Sequence, residues 1–112
     1  MKTRLIFCLL VSFISFRSLG QSVYYQAKDL TAENLFTENI EGPNVDARGN
    51  LFVVNYQKDG TIGLVNPDGT VELYVNLPEG SNGNAIQFNA AGNMLVADWP
   101  KHNVLEVDTK TK

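Results

Sequence analysis

Glu41 and Asn84 are the residues whose types and placement suit chemistry in this chain of 112 residues. Aligning "EGPNVDARGNLFVVNY" (41–56) with "NAIQFNAAGNMLVADW" (84–99) at an offset of 43 pairs Glu41 with Asn84. The same offset pairs Val45 with Phe88, Gly49-Asn50 with Gly92-Asn93, Asn55 with Asp98 and Tyr56 with Trp99. A carboxylate and an amide carbonyl are oxygen donors of the kind a hard cation such as calcium gathers in sixes to eights. One such residue at the entry to an equivalent strand in each repeat would converge on a common axis. The repeat alone makes Asn84 a lining residue of that axis and does not make it a ligand.

The elements that must position these residues read as strands. The first unit predicts short strands at 44–47, 51–56 and 62–66. Turns at Arg48-Gly49-Asn50 and Lys58-Asp59-Gly60 separate them, and a Pro-Asp-Gly turn in "NPDGT" precedes a fourth strand at 71–76. Pro presets its own φ in such a turn and Gly takes the positive φ. With one residue removed from the loop, "TIGLVN" continues against "NVLEVD", so the whole unit repeats. "LFVVN" and "MLVAD" are nearly continuous in apolar residues, which predicts strands covered on both faces. No helical period is present; "TAENLF" at 31–36 offers one turn at most.

Four antiparallel strands in about 43 residues is the size of a propeller blade. The expected fold is therefore all-β: the opening blades of a β-propeller, incomplete in this chain, with one blade and most of a second in residues 41–112. The first 20 residues read as a signal peptide. "MKTR" supplies positive charge, "LIFCLLVSFISF" is an apolar run too short to span a bilayer, and "SLG" offers small residues before Gln21. Residues 21–40 form an N-terminal segment in which "NLFTENI" offers a closing strand. The expected location is periplasmic or extracellular. The one cysteine, Cys8, lies in the leader, so the exported domain has no disulfide and relies on its core. Loss of Lys2, Arg4 and Arg17 leaves six basic against twelve acidic residues, a net charge of −6. Such a chain lacks a basic surface for nucleic acid or an anionic membrane.

The run from Glu41-Gly42-Pro43 through "DARGNLFVVN" and "GNAIQFNAAGNMLVAD" resembles the opening blades of the gluconolactonase/regucalcin-like family, also called the senescence marker protein family. The resemblance covers nearly all of residues 37–112. It implies a six-bladed propeller with one divalent cation, usually calcium or zinc with magnesium as a further choice, at the mouth of the central channel. It also implies hydrolysis of sugar lactones or related esters. The family's Glu-Gly-Pro glutamate is a metal ligand, and that role carries to Glu41. The family's remaining ligands would lie beyond Lys112, so the chain is expected to be a fragment, inactive alone, and no catalytic residue is assigned in it.

Each residue has a plainer reading beside the functional one. Glu41 also reads as an exposed residue before a Gly-Pro turn, and Asn84, after Gly83, as a turn residue. Asn55 and Asp98 end equivalent strands and read as caps or turn hydrogen-bonders. His102, the only histidine, reads as loop surface, because zinc sites need more of them. Tyr56 and Trp99 read as packing between repeat units, with substrate stacking as the second use. No nucleophile motif, phosphate-binding glycine loop or Cys/His cluster is present. Two classes of function stand: a metal-dependent lactonase, and a non-catalytic propeller binding a carbohydrate, peptide or protein.

Overall fold

Three turns of one design punctuate the chain in the computed structural model, which describes residues 25–111. In each, the N–H of the first residue donates to the carbonyl of the fifth, and the fourth, a glycine, donates back to the carbonyl of the first. The turns are Asp46 to Asn50, Asn66 to Thr70 and Asn89 to Asn93, with N···O distances of 2.8 to 3.0 Å. In two of them the oxygen of the first side chain also accepts from the backbone ahead, and in the third Asn66 Nδ2 donates to Thr70 Oγ1 at 3.1 Å. Asp46 Oδ1 accepts from the Arg48 and Asn50 N–H groups, and Asn89 Oδ1 from those of Ala91 and Asn93. Short polar side chains favour such turns because they hydrogen-bond the backbone just ahead of them.

The chain forms seven strands: β1 Asn44–Val45, β2 Leu51–Val54, β3 Thr61–Val65, β4 Val71–Asn76, β5 Gly83–Phe88, β6 Met94–Asp98 and β7 Asn103–Val107, the three turns closing the β1-β2, β3-β4 and β5-β6 hairpins. The strands form two antiparallel sheets in sequential order, β1-β2-β3-β4 and β5-β6-β7. The all-β expectation holds, and no helix occurs among the described residues. The expected signal peptide at 1–20 and the first residues of the 21–40 segment lie outside the described residues.

The expected strand 51–56 stops at Val54. Asn55 and Gln57 adopt φ of 65° and 60°, which removes both from extended geometry and turns the chain toward the Lys58 hairpin. Residues 34–40 do not form a strand of either sheet. Phe36 makes one antiparallel bridge with Tyr56, flanked by backbone bonds from Thr37 N–H to Asn55 O and from Gln57 N–H to Leu35 O. Asp59 secures the same segment, accepting from Thr37 Oγ1 at 2.6 Å and Asn39 Nδ2 at 2.8 Å.

The core lies between the two sheets. Phe52, Val54, Ile62, Leu77, Ile86, Met94 and Val96 are buried there. Phe52 meets Tyr74 edge-on at 4.8 Å between ring centroids and Phe88 at 5.5 Å. Each fully buried aliphatic or aromatic side chain contributes about 1.5–3 kcal/mol over its exposed state. Gly83 is required at the centre of the contact, since a Cβ there would stand 2.9 Å from Cγ1 of both Val54 and Val96. A further tie is the Asn44 side-chain amide, which donates to the Ile86 carbonyl at 2.7 Å.

The two central strands differ in cover. On β2, Phe52 and Val54 face the second sheet while Val53 is buried on the opposite face, as a strand covered on both sides requires. On β6, Met94, Val96 and Asp98 are buried but Leu95 and Ala97 are half-exposed, so this strand alternates. Val104 on neighbouring β7 is 66% exposed. The outer face of the second sheet therefore has no cover within the described residues.

Candidate functional site

Glu41 and Asn84 meet at the seam between the sheets. Gly42 adopts φ +48°, and a Cβ on it would stand 2.5 Å from the Ala85 Cα and 2.7 Å from the Asn84 carbonyl oxygen. Only glycine tolerates both the conformation and the approach. The Glu-Gly-Pro corner is thereby pressed onto the backbone of the residue that the repeat pairs with Glu41.

Glu41 and Asn84, both exposed, line a polar cleft of about 190 Å³ together with Glu38, Asn39, Asn55, Asn82 and Trp99. Asn82 was not singled out by the sequence, although it flanks Gly83 in the run Asn-Gly-Asn, one residue before β5 begins. It is 7% exposed, and its Oδ1 has no hydrogen-bond partner. A buried amide oxygen left without a donor is unusual enough to call for a ligand or other explanation. A hollow of about 380 Å³ beside residues 29–40 is lined by that one segment alone and brings no side chains together from different strands.

Asp98 fixes the strand entry that carries Asn82 and Asn84. It is 1% exposed and accepts the Asn82 N–H at 3.0 Å, while the Trp99 N–H donates to the Asn82 carbonyl at 3.2 Å. Burial pushes its carboxyl pKa up, but the Asn82 N–H that it accepts, and after it the Lys101 charge, pull the other way, and the carboxyl lies below the ordinary value. Asp98 is therefore an ionised structural group, in agreement with the capping reading. Its Oδ2 and Ser81 Oγ lie buried without hydrogen-bond geometry to any neighbour.

The aromatic pair parts ways. Tyr56 packs over Gly63 of its own sheet, meets Phe36 edge-on at 5.8 Å, and donates its hydroxyl to the Val71 carbonyl at 2.9 Å. Trp99 is 57% exposed on the rim of the cleft. Neither ring packs between the two sheets, because the left-handed turn at Asn55 sends Tyr56 to the far face while the β6 end has no segment like 34–40 laid over it. His102 is exposed in its hairpin loop, at φ 53°.

Among the described residues, no three Asp, Glu, His or Cys side chains gather as a metal centre. The donor set of the cleft is the carboxylates of Glu38 and Glu41 and amide oxygens, which suits a hard cation more than zinc. Compared with known protein families, with curated proteins and with solved structures, the chain gives no match.

Proposed function

We propose that this chain contributes to an exported, divalent-metal-dependent hydrolase of sugar lactones or related esters, in which the two sheets are successive blades of a propeller. The observation that carries the reading is the seam itself. Glu41 and Asn84, equivalent in two repeats, line one polar cleft, and the unpartnered Asn82 Oδ1 lies beside them. The uncovered outer face of β5-β6-β7 suits a further sheet packed as the second packs on the first.

Glu41 would hold the cation, calcium being the best match to the oxygen donors, and the unpartnered Asn82 Oδ1 would add an amide oxygen. A cation bound here supplies Lewis-acid polarisation of a lactone carbonyl and a more acidic water. Asn84 lines the approach and offers both a donor and an acceptor to a sugar hydroxyl. Asp98 keeps the Asn82 backbone in register, and Trp99 offers an apolar face at the rim.

The test is hydrolysis of a sugar δ-lactone by the protein that carries this chain. Turnover should be lost on chelation, restored by calcium and abolished in Glu41→Ala. Turnover that survives both treatments would sink the metal mechanism. The exposed Trp99 favours a second reading, a non-catalytic carbohydrate-binding propeller. Sugar binding without turnover, lost in Trp99→Ala and indifferent to chelation, would select it.

A further inference from the structure

Asn55 has no exposed surface, and its side chain makes three hydrogen bonds. Nδ2 donates to the Asn39 carbonyl at 2.8 Å and to the Gly83 carbonyl at 3.3 Å, while Oδ1 accepts the Gly60 N–H at 3.1 Å. Asn39 lies two residues before Glu41, and Gly83 directly precedes Asn84. One amide group thus holds the two backbone segments that carry the opposed side chains of the cleft.

The chemistry admits few substitutes. A primary amide has two donors in one plane and an acceptor beside them. Aspartate would turn acceptors toward two carbonyls, and serine has a single donor. The backbone at φ 65° also favours asparagine over most residues. At the equivalent place in the second repeat the partner is the Asn82 N–H, a donor, and the residue there is the acceptor Asp98. The residue type follows the polarity of what it must hold.

We infer that Asn55 is a positioning residue for the cleft: its NH₂ group sets the spacing of Glu41 from Asn84. The effect on metal binding rests on the proposed function above, whereas the bridge itself can be tested without it.

Trp99, the only tryptophan, lines the same cleft and reports on it. In Asn55→Asp at pH 8, acrylamide quenching of Trp99 should differ from wild type by at least about 1.5-fold, with the far-ultraviolet circular dichroism retained. The difference should close as pH falls to 5, because burial beside two carbonyls raises the pKa of the introduced carboxyl and its protonated form regains a donor. Wild type should stay level over that range. A folded Asn55→Asp chain whose quenching and whose Glu41 and Asn84 amide resonances match wild type at pH 8 overturns the inference.

Wild-type exchange decides the matter if the variant does not fold. The Asn55 Nδ2 protons should exchange at least about 100-fold more slowly than those of exposed Asn103, and exchange at the Asn103 rate overturns the bridge. Calcium alone, titrated by calorimetry, separates the two readings. Binding at least about 10-fold weaker in Asn55→Ser than in wild type supports the positioning role, and equal binding overturns it. If the wild-type protein that carries this chain binds no calcium, the metal reading is overturned, and quenching and exchange decide on Asn55.

Discussion

Gly42 and Ala85 approach so closely that a Cβ on the glycine would stand 2.5 Å from the Ala85 Cα. This contact turns a sequence repeat into a site, because it brings the entry of the first unit against the entry of the second. Gly42→Ala should therefore separate the sheets at the cleft. The left-handed backbone alone costs roughly 1–2 kcal/mol for a residue with a Cβ, and the clash adds to it. Urea denaturation should show a loss of about 2 kcal/mol or more, and a loss under 0.5 kcal/mol would mean that the corner is not held against Ala85.

Glu41 and Asn84 are exposed and take no part in the core, so Glu41→Gln and Asn84→Ala should leave stability within about 0.5 kcal/mol of wild type. Calcium affinity should nonetheless fall at least 10-fold in Glu41→Gln. A large stability loss without a change in calcium affinity would assign Glu41 to the fold instead.

Met94 and Leu95 are chain neighbours on opposite faces of β6, the first wholly buried and the second half-exposed. Met94→Ala should cost about 2–4 kcal/mol as a cavity opens between the sheets. Leu95→Ala should cost about 1 kcal/mol or less, because water already reaches that face. Equal losses would show that the outer face is covered in solution, and would make self-association the next measurement.

Acid should unfold the chain through its turn and cap aspartates. The Asp46 pKa is raised by burial but brought below 3.8 by the Asn50 side chain and by the Asn50 and Arg48 N–H groups. Asp68, Asp98 and Asp108 are lowered as well, chiefly by the hydrogen bonds they accept. A carboxyl whose folded pKa lies below its unfolded one stabilises the fold above the unfolded value, and the gain is lost as pH falls through the folded value. From these groups stability should be level between pH 5 and 8 and decline below about pH 4. Tyr74 acts at the other end: burial raises its pKa above 10, so its contribution declines as pH rises past that value. In Asp46→Asn the acid limb of a urea-midpoint titration should be shallower, and an unchanged limb would remove Asp46 from the account.

The strands and their turns were legible because their causes are local. Gly-Asn and Pro-Asp-Gly act within five residues, and apolar runs between them need no distant partner to be read. The seam was legible only as a correspondence between Glu41 and Asn84. What joins them is the missing side chain at Gly42 and the amide of Asn55, whose partners Asn39 and Gly83 lie on either side of it and far from it in sequence. Asn82 was overlooked because an asparagine beside a glycine is ordinary turn chemistry until its oxygen proves to be buried without a donor. Tyr56 and Trp99 hold equivalent positions yet opposite surroundings, since residues 34–40 cover one and nothing within the described residues covers the other.

The thrice-used five-residue turn also bears on how the chain finds its fold. Each copy closes a hairpin from contacts only a few residues apart, so the β1-β2, β3-β4 and β5-β6 hairpins can begin forming early and independently. Docking of the two sheets must wait for long-range closure at Gly42, Gly83 and Asn55. The last region to order during folding is then the cleft, and in native-state hydrogen exchange it should be the first to open.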